Sequence, residues 1–112
     1  MAKGESLGEF EHLVLLAVLR LERDAYGMRV RQEIAGRTGR DAAIGAVYAT
    51  LDRLEEKGLV KAAWGEPTAE RGGRAKRMFQ VTAEGVAAVN RARQDLARMM
   101  EGLPLPLPGG KR

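Results

Sequence analysis

Four cations fall within seven residues, Arg71, Arg74, Lys76 and Arg77, around the pair Gly72-Gly73. Such a density suits an anionic polymer. Arginine and lysine reach phosphates, and arginine enters a narrow minor groove, where negative potential is high. The glycines let the run bend to a curved partner. A second set follows a helical period. Ile44, Val47, Leu51 and Leu54 recur at 3-4-3 spacing and so share one face. Gly45, Ala46, Ala49 and Arg53 then point the other way, with Tyr48 and Thr50 on the flanks. Small residues near a helix start let the backbone approach base edges, and an alanine methyl can touch a thymine methyl. The hydroxyls of Tyr48 and Thr50 can donate to phosphates, and Tyr48 also suits the edge of a core. The expected contacts to duplex DNA are therefore Gly45, Ala46, Tyr48, Ala49, Thr50 and Arg53 on a helix, and Arg71, Gly72, Gly73, Arg74, Lys76 and Arg77 in the basic run.

Other chemistries find little support. There is no cysteine, and His12 is the lone histidine, so disulfides, thiolate sites and histidine clusters are excluded. Paired carboxylates at useful spacing, a nucleophile motif and a phosphate-binding glycine loop are all missing, so neither an enzyme nor a cofactor is expected. Trp64 and Phe79 are too few for a single-strand stacking platform. Phe79 reads as core. Trp64 reads as core, or else as the wall of a ligand pocket near the base of the hairpin.

The elements that must position these groups follow from patterning. Ser6 and Glu9 fit a capping box ahead of a first helix. Phe10, Leu13, Val14, Ala17 and Leu21 line one face of it, and Leu15, Leu16, Val18 and Leu19 line another. A helix apolar nearly all round needs cover on both sides, which points to a second copy of the chain. Asp24 is placed to cap a second helix over 26–36, with Tyr26, Val30 and Ile34 inward and Gly36 and Gly39 near its end. The third helix spans 44–57 and stops at Gly58. The period then changes to strands over 59–64 and 77–81, a hairpin around the basic run. Thr82 caps a last helix over 83–101. Val86, Val89, Arg93, Leu96, Met100 and Leu103 recur there at the spacing of a coiled-coil seam. Residues 103–112, with alternating proline, cannot be helical and are expected to be disordered.

The reading is mainly α with a small β-hairpin: a winged helix-turn-helix domain over 1–82, a C-terminal dimerisation helix over 83–102 and a Pro/Gly-rich tail over 103–112. Helices two and three form the helix-turn-helix, and the hairpin is the wing. The expected dimer interface is Leu15, Val18 and Leu19 with Val89, Arg93, Leu96 and Met100. At 112 residues the core is thin, and pairing would help stabilise it. The charge fits as well. Residues 1–60 carry nine Lys/Arg against ten Asp/Glu, and residues 61–112 carry ten against five, so the excess of +4 is local, as an anionic partner contacted by one part of the fold requires. No apolar run approaches the ~20 residues needed to span a bilayer, and the first residues do not lead into a signal peptide. A cytoplasmic protein without a membrane partner is expected. The rival reading is a winged-helix module that binds another protein, without direct DNA contact.

Four stretches, LGEFEHLVLLAVLRL (7–21), DAYGMRVRQEI (24–34), IGAVYATLDRLEEKGLV (44–60) and WGEPTAERGGRAKRMFQVTAEG (64–85), resemble the short form of the PadR family of bacterial transcriptional regulators. The resemblance implies a winged helix, a two-fold dimer made by the first and last helices, and repression by operator binding that a small molecule or another signal relieves. It carries DNA contact over to Tyr48, Thr50, Arg71, Arg74 and Lys76, and an effector would sit at the dimer interface. Two positions depart from the family pattern. Ala43 stands where a serine often caps the recognition helix, a loss of roughly 1 kcal/mol, and Met78 stands where the family often has tyrosine.

Overall fold

The computed structural model describes residues 6–65 and 75–109. Its elements run α1 (Glu9–Leu21), a 3-10 turn (Glu22–Asp24), α2 (Gly27–Thr38), α3 (Ile44–Glu56), β1 (Val60–Trp64), β2 (Arg77–Val81) and α4 (Ala83–Met100). This is the expected order of helices and hairpin.

The helix ends show which local signals operate. Helix α1 begins two residues later than its sequence signal: Gly8 is the N-cap, and Glu11 Oε1 accepts from the Gly8 N–H at 2.9 Å. Only the carboxylate half of a capping box is formed, because glycine has no hydroxyl. Asp24 lies in the 3-10 turn, and Tyr26 is the N-cap of α2. Helix α2 runs through Gly36 and ends where Gly39 takes a left-handed φ of 76°, a conformation that costs glycine little. Helix α3 starts at Ala43 without a side-chain cap. Thr82 does cap α4: its Oγ1 accepts from the Gly85 N–H at 3.0 Å and donates to the Gly58 carbonyl at 2.7 Å.

The core gathers Val14, Leu15, Ala17 and Val18 of α1, Val30 and Ile34 of α2, Val47, Leu51 and Leu54 of α3, and Val60 and Phe79 of the hairpin. Three assignments to the dimer interface are corrected here. Leu15 and Val18 are fully buried and Val89 nearly so, all inside the one chain. Leu15 and Val18 lie on the faces of α1 that α2, α3 and the hairpin cover, and Val89 lies where α4 crosses α1 and β2, so the three leave almost no surface for a partner. Leu19 is exposed on α1, beside Leu16.

The hairpin pairs Val60 with Val81 through to Trp64 with Arg77, antiparallel. The segment before α2 adds a further edge. Tyr26 bridges to Met78, and the Phe79 N–H donates to the Ala25 carbonyl at 2.9 Å. Helix α4 rests on the body only near its start, where Gly85, Ala88 and Val89 are buried. A Cβ on Gly85 would lie 2.2 Å from the Leu59 carbonyl oxygen, so glycine there permits the close crossing. Beyond Asn90 the helix stands clear of the domain, and Leu96, Met99, Met100 and Leu103 are exposed.

Trp64 is 71% exposed, which overturns its assignment to the core. At the loop end of the hairpin, no element among the described residues lies opposite it. Nor does it line the open groove of about 850 Å³ between the end of α1 and the outer hairpin face, whose walls include Val18, Leu19, Glu22, Arg23, Lys61 and Val81. Residues 103–109 form no helix, and Leu103, Leu105 and Leu107 are exposed.

Candidate nucleic-acid interface

With Val47, Leu51 and Leu54 fully buried, α3 presents Gly45, Ala46, Tyr48 and Ala49 on the surface. The three small residues make a shallow face with the Tyr48 ring beside it. The Tyr48 ring is wedged over Gly27 at the start of α2; a Cβ there would fall 2.5 Å from Tyr48 Cε1. The small residue at position 27 thus seats the ring, and the ring ties α3 to α2. Tyr48 is thus packed along one edge, as a core-edge residue is, and open to solvent along the other.

Thr50 is different. It is 3% exposed, and its Oγ1 accepts from Arg53 Nη2 at 3.4 Å. Its place among phosphate ligands is corrected: it faces inward because α1 packs over that flank of α3. Arg53 is on the outer side, but its Nε donates to Glu11 Oε2 at 3.2 Å. Glu11 also takes Lys57 Nζ at 3.0 and 3.1 Å. This carboxylate, at 8% side-chain exposure, joins the first turn of α1 to the last turn of α3. Burial works against its ionisation, but the Gly8 N–H and the two cations outweigh it, so its pKa is lowered. Nothing in the sequence singled Glu11 out except its proximity to a helix start.

The wing cations divide. Arg77 stacks on Phe79, 5.0 Å from the ring centroid, and pairs with Asp52 at 3.0 Å and with Glu55. It clamps the hairpin to the end of α3. The acidic end of α3 makes this pairing available. Lys76 sits 4.8 Å over the Tyr26 ring. Arg71, Gly72, Gly73 and Arg74 lie outside the described residues. At the turn between α2 and α3, Arg40 covers Phe10 at 4.9 Å and pairs with the exposed Glu9 at 3.4 Å. On the outer face of α2, Glu33 gathers Arg20, Arg29 and Arg37. Among the described residues no helix is long and apolar enough to cross a membrane.

Solved structures share this architecture. A transcriptional regulator from Clostridium thermocellum superposes with a TM-score of 0.68 at 17% identity, covering 81% of this chain and 85% of its own. A PadR family transcription regulator from Clostridium difficile gives 0.65 at 19% identity, over 81% and 94%. An uncharacterized protein of Lysinibacillus sphaericus is 30% identical over 104 residues, 91% of each chain. The profile of the PadR-like transcriptional regulators matches residues 15–91, and on that match the chain belongs to the PadR-like family of transcriptional regulators.

Proposed function

We propose that the chain acts as a homodimeric repressor that binds duplex DNA. The observation that carries this reading is the exposed face of α3: Gly45, Ala46 and Ala49 leave the helix narrow where it would enter a major groove, with Tyr48 at the edge. An α-helix fits that groove, and small residues bring its backbone to the base edges. The run with Arg71 and Arg74 would follow the flanking backbone, and Lys76 at its end adds charge. The second copy is inferred from α4. Its far half leaves Leu96, Met99, Met100 and Leu103 in water, a cost that burial against a partner removes. Leu16 and Leu19 of α1 extend the same apolar character, and Arg93 can lay its stem along the seam. Residues 83–102 thus form the dimerisation element, and 1–82 the reading head.

Two reading helices related by a two-fold axis would enter successive major grooves about 34 Å apart on a pseudo-palindromic operator. Repression then follows from occupancy of a promoter. A small-molecule effector between the subunits would change the spacing of the two heads and so release the DNA, since both must engage together.

The experiment is selection of bound fragments from genomic DNA, followed by titration of the recovered site against salt. A specific site bound with affinity that falls steeply with salt, in proportion to the phosphates contacted, is expected. Salt-insensitive behaviour with no protected fragment would leave the protein-binding module as the better reading.

A further inference from the structure

Arg53 stands four residues after Ala49 and seven after Ala46, on the same face of α3. By position it belongs with the groove-facing set, yet its guanidinium is committed at two points. Nε donates to Glu11, and Nη2 to Thr50. Lys57, the C-cap of α3, gives both its contacts to the same carboxylate. The carboxylate is buried and takes its remaining hydrogen bond from the Gly8 backbone. The pair of Arg40 with Glu9 makes a contrast. Glu9 is open to water, and an exposed pair exchanges one partner for another at little cost. For Arg53 to leave for a phosphate, a buried carboxylate would lose one of its two cations, which is unfavourable.

We infer that Glu11 is an internal counter-charge that withholds Arg53 and Lys57 from the DNA backbone, so that the reading helix meets DNA through its small residues and gains little affinity from sequence-independent contact. Glu11 is a positioning residue in this sense: it acts through the two cations and touches no DNA. The inference rests on the DNA-binding reading above. Electrostatic contacts to phosphate supply nearly all non-specific binding. A cation neutralised within the fold adds nothing to that background, and the discrimination between operator and other sequence widens accordingly.

The test measures how affinity for a non-operator duplex depends on salt, by fluorescence anisotropy across a series of NaCl concentrations. In Glu11→Gln the slope of log K against log salt should steepen by about 0.9 for each cation that then reaches a phosphate, at most about twice that. An unchanged slope in folded Glu11→Gln overturns the inference. Should that variant fail to fold, Arg53→Gln in the otherwise intact chain decides the matter. A residue already withheld leaves the slope as it was, whereas a phosphate ligand takes about 0.9 from it, and such a loss overturns the proposal. In Glu11→Gln, a purely structural Glu11 would lower thermal stability without steepening the slope. If the unmodified protein shows no salt-dependent duplex binding, the DNA reading itself falls, and this inference with it.

Discussion

Replacing Gly27 by alanine should set α2 against the ring of Tyr48. The new Cβ would lie 2.5 Å from Cε1 and Cζ and 2.8 Å from the hydroxyl oxygen, far inside the ~3.5–4.0 Å at which carbon atoms attract. Gly27 does not have a positive φ, so alanine fits its backbone and the conflict is one of packing alone. Forcing a methyl into a filled space costs about 1–3 kcal/mol. The less flexible unfolded chain offsets about 0.4–1 kcal/mol of this. The net loss should be about 0.5–2 kcal/mol. In a Tyr48→Ala background the ring is gone, and Gly27→Ala should be neutral or stabilise by up to about 1 kcal/mol. The two substitutions should therefore couple by about 1–3 kcal/mol, as residues in direct contact do. Urea unfolding of the four proteins, compared at constant m-value, measures the cycle. Equal cost of Gly27→Ala in both backgrounds would refute the argument that this glycine exists to seat the ring. Operator affinity should also fall in Gly27→Ala with Tyr48 present, because the displaced ring is a proposed backbone contact.

Three further outcomes are expected. Stability should fall as the medium is acidified, and Glu11 should contribute to that fall. Its folded pKa is below the usual 4.5, so its stabilisation is complete above that value and is lost as pH drops through the folded one. The difference in unfolding free energy between the unmodified protein and Glu11→Gln should shrink over that interval; a constant difference would dismiss the charge as its source. Leu96→Lys should abolish self-association in sedimentation equilibrium while changing protomer stability by less than about 0.5 kcal/mol, since Leu96 is 59% exposed and touches no core. A variant that stays dimeric would move the interface elsewhere. Phe79→Ala should cost about 3–5 kcal/mol in chemical denaturation, because the ring is buried between α1 and the hairpin and carries Arg77 on its face; a loss under 1 kcal/mol would contradict that packing.

The element order and both faces of α3 follow from periodicity and turn residues alone. Val47, Leu51 and Leu54 are spaced to lie together, and once they are inward Gly45, Ala46 and Ala49 have to be outward. Thr82 fixes the start of α4 through a local hydrogen bond that three residues suffice to specify. The family resemblance holds over residues 15–91. What each charged or two-sided residue does is another matter. Arg53, Arg77 and Thr50 look alike on a helical or strand projection, as polar groups on or near the outer face. Arg53 meets Glu11 across 42 residues and Arg77 meets Asp52 across 25. Thr50 turns inward because α1 lies over it. The same holds for Leu15 and Val18, claimed by the chain's own core before any partner can reach them, and for Trp64, left in water because nothing among the described residues lies opposite it. Period and capping act over one or two turns, so a chain carries them in its local order. Ion pairs and burial depend on which elements come to lie side by side, and that is settled only when the helices and hairpin close on one another.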